Sequence, residues 1–294
     1  MRPPGRPLLA LLALLCGLVV LTAPTAPAGA SGATAAARAA ERGILPPLPT
    51  APEGDVPGVN DWTCTPSPAR PVPVITVHGT IGDRRHLLER LQLALVDAGY
   101  CVFSLDYGNR GLEDVVASAR QLKAYVARVR TATGAAKVSL IGHSQGGMMP
   151  RWYLKFLGGT AFVDDLIGIA PSNHGTLLTG SASPLTPLLA PICPACVQQG
   201  SDAALLKRLN AGDETPGDVS YTQITTRYDE VVVPHTSGYL AGGANTRNLT
   251  LQRLCPTELA EHLLIPLATP TISLALKALA TPGPVPAGFR PRCF

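Results

Sequence analysis

From residue 61 onward, short apolar runs alternate with stretches in which apolar residues recur every three or four positions. The first run, Pro71 to Val77 (PVPVITV), is nearly continuous, as expected of a parallel strand covered by helices on both faces. Next, Leu87, Leu88, Leu91, Ala94, Leu95 and Ala98 share one helical face, with Arg84, Arg85, Glu89, Arg90 and Asp97 between them and Gly99 as the stop. Tyr100 to Leu105 (YCVFSL) reads as a second strand. A second helix is expected from Leu112 to Thr131, with Val115, Val116, Ala119, Leu122, Val126 and Val129 as its stripe. Its acids Glu113 and Asp114 come first and its bases Arg128 and Arg130 last, the polarity a helix dipole favours, and Gly134 closes it. Lys137 to Ile141, Asp165 to Ala170, Val219 to Thr225 and Asn248 to Leu251 read as further strands, and Thr271 to Ala280 as the final helix. The alternation predicts an α/β fold with a mainly parallel sheet.

Two stretches break the alternation. Residues 1–30 combine a basic start (Arg2, Arg6), an apolar run from Leu8 to Leu21 and the small-x-small end Ala28-Gly29-Ala30, which predicts a secretory signal cut after Ala30. Leu15 stands before Cys16 where lipidation requires a small residue, so lipidation is not expected. Residues 31–60 form an Ala/Pro-rich arm with little periodicity, expected to be flexible or loosely packed, and the catalytic domain is expected over 61–294. Within it, Leu177 to Gln199 is rich in Pro, Leu and Ala and reads either as a lid over the site or as a surface excursion pinned by its cysteine pair.

Charge and cysteine usage narrow the partners and the compartment. Without Arg2 and Arg6, 22 basic residues face 20 acidic ones, a balance that argues against nucleic acid or an anionic membrane as partner. Six cysteines remain beyond Cys16, an even number that in an exported chain implies disulfides of open connectivity. Cys193-Pro194-Ala195-Cys196 lies in a proline-rich segment without a second C-x-x-C, which favours a small structural disulfide over a redox pair or a zinc site.

The chemistry centres on Gly142-His143-Ser144-Gln145-Gly146, which follows a strand and precedes a helical pattern. Strand, sharp turn and helix make a G-x-S-x-G match a nucleophile elbow, in which side chains at the flanking glycines would collide with the neighbouring backbone. A serine hydroxyl needs a base to take its proton and a carboxylate to orient that base. In this fold they follow the serine in the order acid, then histidine. Asp229 comes directly after a strand; Glu230 is its rival, set aside because adjacent side chains diverge. His262, on a separate later loop, is the expected base, with His235 as the alternative. His78, His143 and His174 read as loop-shaping or substrate-lining groups, and His86 as a helix-surface group. The oxyanion donors expected are the N–H of Gln145 and Thr80, which follows His78-Gly79 after the first strand.

Together, His78-Gly79-Thr80, Gly142 to Gly147, Ala170-Pro171-Ser172-Asn173-His174-Gly175-Thr176 and Tyr228-Asp229-Glu230-Val231-Val232-Val233-Pro234 resemble the secreted class 2 lipases and esterases of actinobacteria, and the neighbourhoods of Ser144, Gln198-Gln199 and Asp229 are also similar to the yeast lipase B type. The resemblance, over about residues 60 to 294, implies an α/β-hydrolase fold, a Ser144, Asp229, His262 triad and an oxyanion hole of Thr80 and Gln145. It also implies the pairs Cys64–Cys101, Cys193–Cys196 and Cys255–Cys293. The chain departs from the yeast type at 177–199 and at Glu261-His262, where that type has an Asp before the His.

The expected protein is thus a secreted, extracellular, monomeric serine ester hydrolase, a lipase or carboxylesterase, that needs no metal or organic cofactor. Its expected partner is a lipid or simple ester, met at a lipid–water interface. Acyl transfer to an alcohol, polyester or cutin hydrolysis, and a catalytically silent binding protein on the same fold are the alternatives.

Overall fold

The structure, a computed structural model, describes residues 54–294; the expected signal and most of the expected arm lie outside the described residues. Six strands form one parallel sheet: β1 (Val74–Val77), β2 (Val102–Leu105), β3 (Val138–His143), β4 (Val163–Ile169), β5 (Ser220–Thr225) and β6 (Thr246–Thr250), in the order β2-β1-β3-β4-β5-β6. The helices that matter for the site are α1 (Glu89–Asp97), α2 (Val115–Thr133), α3 (Gln145–Phe156), α4 (Pro194–Gln198), α5 (Ala204–Asn210) and α6 (Thr269–Leu279).

Alternation along the strands splits the core into two layers. Ile75, Val77, Phe103, Leu140 and Leu166 face α2 and α3, meeting Val115, Leu122, Val126, Met148 and Tyr153. Val74, Val102, Ile141, Ile167 and Ile224 face the other way and pack on Leu88, Leu91 and Leu95 beside α1 and on Leu274, Ala275 and Ala278 of α6. Both faces of the sheet are therefore covered, which is why its strands read as apolar runs.

Several element ends differ from the periodicity. The second helix begins at Val115, because Asp114 caps it by accepting the Ala117 N–H at 2.8 Å. An aspartate contributes more as a cap than inside the first turn. Gly134, at φ 70°, closes α2 in the left-handed conformation. His86 is not on a helix surface: it lies half-buried in the turn before α1, where its N–H is held by Asp83. The 177–199 segment carries a 3-10 turn at Leu177–Thr179, a helical turn at Thr186–Leu189 and the short α4. Disulfides join Cys64 to Cys101, Cys193 to Cys196 and Cys255 to Cys293. No helix among the described residues is long and apolar enough to cross a membrane.

Candidate active site

All the candidate groups sit on chain that leaves carboxyl ends of the parallel strands, the edge where open α/β sheets place their ligands. Thr80 follows β1, Ser144 follows β3, Asp229 follows β5, and His262 lies on the long connection from β6 to α6.

Between β3 and α3 the chain turns so sharply that Ser144 adopts φ 55° and ψ −123°, a conformation costly for a residue with a Cβ. The flanking glycines make the turn possible. A Cβ on Gly142 would lie 1.8 Å from the Gly146 carbonyl oxygen, and one on Gly146 would lie 2.3 Å from the oxygens of Val77 and His78. No side chain fits at either position.

His262 is paired with Asp229, its Nδ1 lying 3.0 Å from Oδ2 and 2.9 Å from Oδ1. A carboxylate only accepts, so Nδ1 carries the proton and Nε2 is the basic nitrogen. Asp229 is itself fixed, because Oδ1 accepts from the N–H groups of Val231 (3.0 Å) and Val232 (2.7 Å). The ring of His235, the alternative base, lies edge-on to Tyr239 with centroids 6.4 Å apart.

Thr80 and Gln145 belong to one buried polar network. The Thr80 hydroxyl donates to Gln145 Oε1 at 2.7 Å, and the Gln199 amide donates to Thr80 Oγ1 and Gln145 Oε1, both at 3.0 Å. Ser172 holds the far end by donating to Gln199 Oε1 at 2.7 Å. Gln199 ends α4, which docks on α2 where Gln198 bonds Asp114 and the Val115 N–H. Ser172 and Gln199 both stand in stretches that carry the family resemblance, but nothing in the sequence pairs them or assigns them this role.

His78 and His143 shape the floor. His78 stacks on Tyr107 with ring centroids 4.3 Å apart, and the Tyr107 hydroxyl donates to the His78 carbonyl. Burial lowers the pKa of both histidines, that of His143 well below the usual histidine value. His143 is buried, and its Nε2 donates to the main-chain oxygen of His262 at 2.9 Å. Glu230, expected to point away, instead accepts from the His262 N–H at 3.3 Å. Side chains of neighbours diverge on a strand, but here the chain is already turning.

An open cavity of about 580 Å³ lies elsewhere, at the β2 edge, lined by Trp62, Arg84, Tyr125 and Arg128 among others. Its charges are taken up locally, Arg84 by Asp55 and Asp106 and Arg128 by the Trp62 ring.

Residues 71–262 match the class 2 lipase family. The chain belongs to that family. It is 34% identical over 139 residues to lipase B of Pseudozyma antarctica, an alignment covering 44% of this chain and 38% of that protein. It is 39% identical over 93 residues to a triacylglycerol lipase of Pseudarthrobacter phenanthrenivorans, covering 27% of each. The aligned stretches thus span well under half the length of these relatives. Among solved structures, the chain is similar in fold to Aspergillus fumigatus lipase B, with a TM-score of 0.64 at 22% identity, covering 83% of this chain and 66% of that one. The family membership and this fold together make the architecture that of an α/β-hydrolase. The three disulfides are consistent with a secreted protein.

Proposed function

We propose that the protein is an exported, monomeric serine hydrolase of carboxylic esters, acting on substrates with apolar acyl chains. The observation that carries this reading is the Asp229–His262 pair, whose geometry leaves Nε2 as the basic nitrogen in a site that also holds a serine on a strained elbow.

In this reading His262 Nε2 removes the Ser144 hydroxyl proton as Oγ attacks the ester carbonyl carbon. The carbonyl π electrons move to oxygen, and the main-chain N–H groups of Gln145 and Thr80 receive the oxyanion, with the Thr80 hydroxyl as a third donor. The intermediate collapses, the imidazolium hands its proton to the departing alkoxide, and the acyl group stays on Ser144. A water deprotonated by the same histidine then attacks the acyl carbon; Oγ leaves, takes the proton back, and the acid departs. Asp229 keeps its negative charge throughout and stabilises the imidazolium.

The surface near this end of the sheet supports apolar substrates. Leu177 is exposed beside the acid loop, its N–H bonded to the Val233 carbonyl, and Leu188 and Ile192 are exposed further along the same segment. Leu263 and Leu264, next to the candidate base, and Leu259 are exposed as well. Apolar side chains in such numbers favour lipidic over charged acyl groups.

Hydrolysis of p-nitrophenyl esters with acyl chains of increasing length, by the wild type and Ser144→Ala, tests the proposal. Activity on apolar chains that disappears in the variant is expected; an equally active Ser144→Ala protein overturns the mechanism. Export is tested by the N-terminal sequence of protein recovered from the medium, expected to begin at Ser31, and the monomer by gel filtration.

A further inference from the structure

Residues 255–264, the stretch of the long connection that carries His262, belong to no helix or strand, so their main-chain groups have no regular ladder to hold them. Side chains take over that task one group at a time. The Gln252 amide donates to the Glu258 carbonyl at 3.0 Å, the Thr226 hydroxyl to the Ala260 carbonyl at 2.6 Å, and Cys255 ties the start of the loop to Cys293. At His262 itself both main-chain groups are engaged. Glu230 takes the N–H at 3.3 Å and His143 gives a hydrogen bond to the C=O at 2.9 Å.

The two partners are the sequence neighbours of the other members of the triad. His143 immediately precedes Ser144, and Glu230 immediately follows Asp229. Each segment therefore presents two side chains to the same reaction: one for the chemistry or the imidazole ring, one for the histidine backbone. The Asp229 bond at Nδ1 restrains rotation about the Cα–Cβ bond of His262, and the two main-chain bonds restrain a shift of the whole residue.

We infer that His143 and Glu230 are positioning residues that clamp the main chain of His262 and so keep its Nε2 in register with Ser144 Oγ. This rests on the reading of Ser144 and His262 as nucleophile and base.

The chemistry of the two groups suits the task. A carbonyl oxygen only accepts, so His143 holds its proton on Nε2. Burial keeps its ring neutral, and the ring of His262, with its centroid 4.9 Å away, works in the same direction when it becomes a cation during turnover. A cationic His143 would oppose that charge; a neutral one orients the residue without opposing it. Glu230 requires no charge for its part, since either a carboxylate or an amide oxygen accepts from a main-chain N–H. Its partial burial and the nearby Glu261 push its pKa upward.

The test compares alanine with an amide at each position, together with Ser144→Ala, on a soluble p-nitrophenyl ester. Displacing a catalytic group by a fraction of an ångström slows chemistry without changing substrate binding, so His143→Ala is expected to lose about tenfold to a hundredfold in kcat with KM within about twofold. His143→Gln, which keeps an N–H donor, regains most of that loss. Glu230→Ala loses less, because its bond is longer and partly exposed, and Glu230→Gln matches the wild type. The low-field proton resonance of the Asp229–His262 pair, absent in His262→Ala, moves in both alanine variants and returns in the amides.

Wild-type kcat in both alanine variants overturns the clamp, and so does equal slowing of alanine and amide variants with the low-field proton unmoved. Glu230 is exposed over much of its side chain, so its variants fold even where those of buried His143 do not, and its alanine–amide comparison then decides. If Ser144→Ala remains active, the underlying mechanism fails; if it is inactive while the four other variants match the wild type, only the clamp fails.

Discussion

The side-chain amide of Gln199 lies 3.0 Å from the hydroxyl oxygen of Thr80, a residue 119 positions earlier in the chain. The same amide also reaches Gln145 Oε1, the atom to which the Thr80 hydroxyl donates. When that hydroxyl turns its proton toward a substrate oxyanion, Gln145 Oε1 still has a donor and Thr80 Oγ1 still accepts from Gln199. The network thus releases one proton without leaving a buried oxygen unpaired, which would otherwise cost about 1–3 kcal/mol. Gln199→Ala is therefore expected to lower kcat about tenfold, less than the loss of a whole oxyanion donor, with KM little changed. Steady-state kinetics on a short-chain ester checks this; an unaltered kcat removes Gln199 from the account.

Replacing Gly142 or Gly146 by alanine is expected to destabilise the protein by about 4 kcal/mol or more, because each new Cβ would meet main-chain atoms that cannot move away. Loss of soluble protein, or a large fall in the denaturant midpoint, is the expected readout. Gly243 has nothing within 4 Å of an added Cβ and serves as the control substitution.

Asp165 gives the fold a pH dependence far from the catalytic end. It is buried at the amino-terminal part of β4, accepts a hydrogen bond from Ser139 at 2.8 Å, and has its pKa pushed up by burial to about 7. A folded-state value raised above the unfolded one contributes stability that is full below about pH 4 and is lost as pH rises through 7. Asp165→Asn keeps an acceptor for Ser139 and removes the charge. Its gain over the wild type is expected to grow from near zero at pH 4 to a few kcal/mol at pH 8, as read from denaturant midpoints.

The loop after β4 carries a second titrating pair. His174 Nε2 lies 3.0 Å from Glu214 Oε1 and its Nδ1 lies 3.2 Å from the Ser237 carbonyl, so both ring nitrogens face acceptors and the hydrogen bond to Glu214 raises the pKa. Here too the folded value is raised, so the stabilisation is present below about pH 6 and lost as pH climbs past the folded pKa. His174 is more than a third exposed, which limits the effect to about 1 kcal/mol. Glu214→Gln is expected to lower Tm by a few degrees at pH 5.5 and by much less at pH 9.

The strands, the helices α1, α2, α3 and α6, and the elbow were legible along the chain because their causes are local. Sheet burial on both faces makes apolar runs, a helix stripe repeats every three to four residues, and the elbow tolerates only glycine at 142 and 146. The candidates Ser144, Asp229 and His262 could be nominated in order because each follows a recognisable strand or stands alone on a later loop. Which groups support them could not. His143 and His262 are 119 residues apart, Ser172 and Gln199 are 27 apart, and nothing in either neighbourhood marks the partner. Their meeting depends on the strand order β2-β1-β3-β4-β5-β6, which brings β1 beside β3 and gathers the loops at one edge. Glu230 marks the boundary between the two kinds of knowledge. Strand alternation turns it away from Asp229, and only the turn the folded chain makes there lets both side chains reach the same histidine.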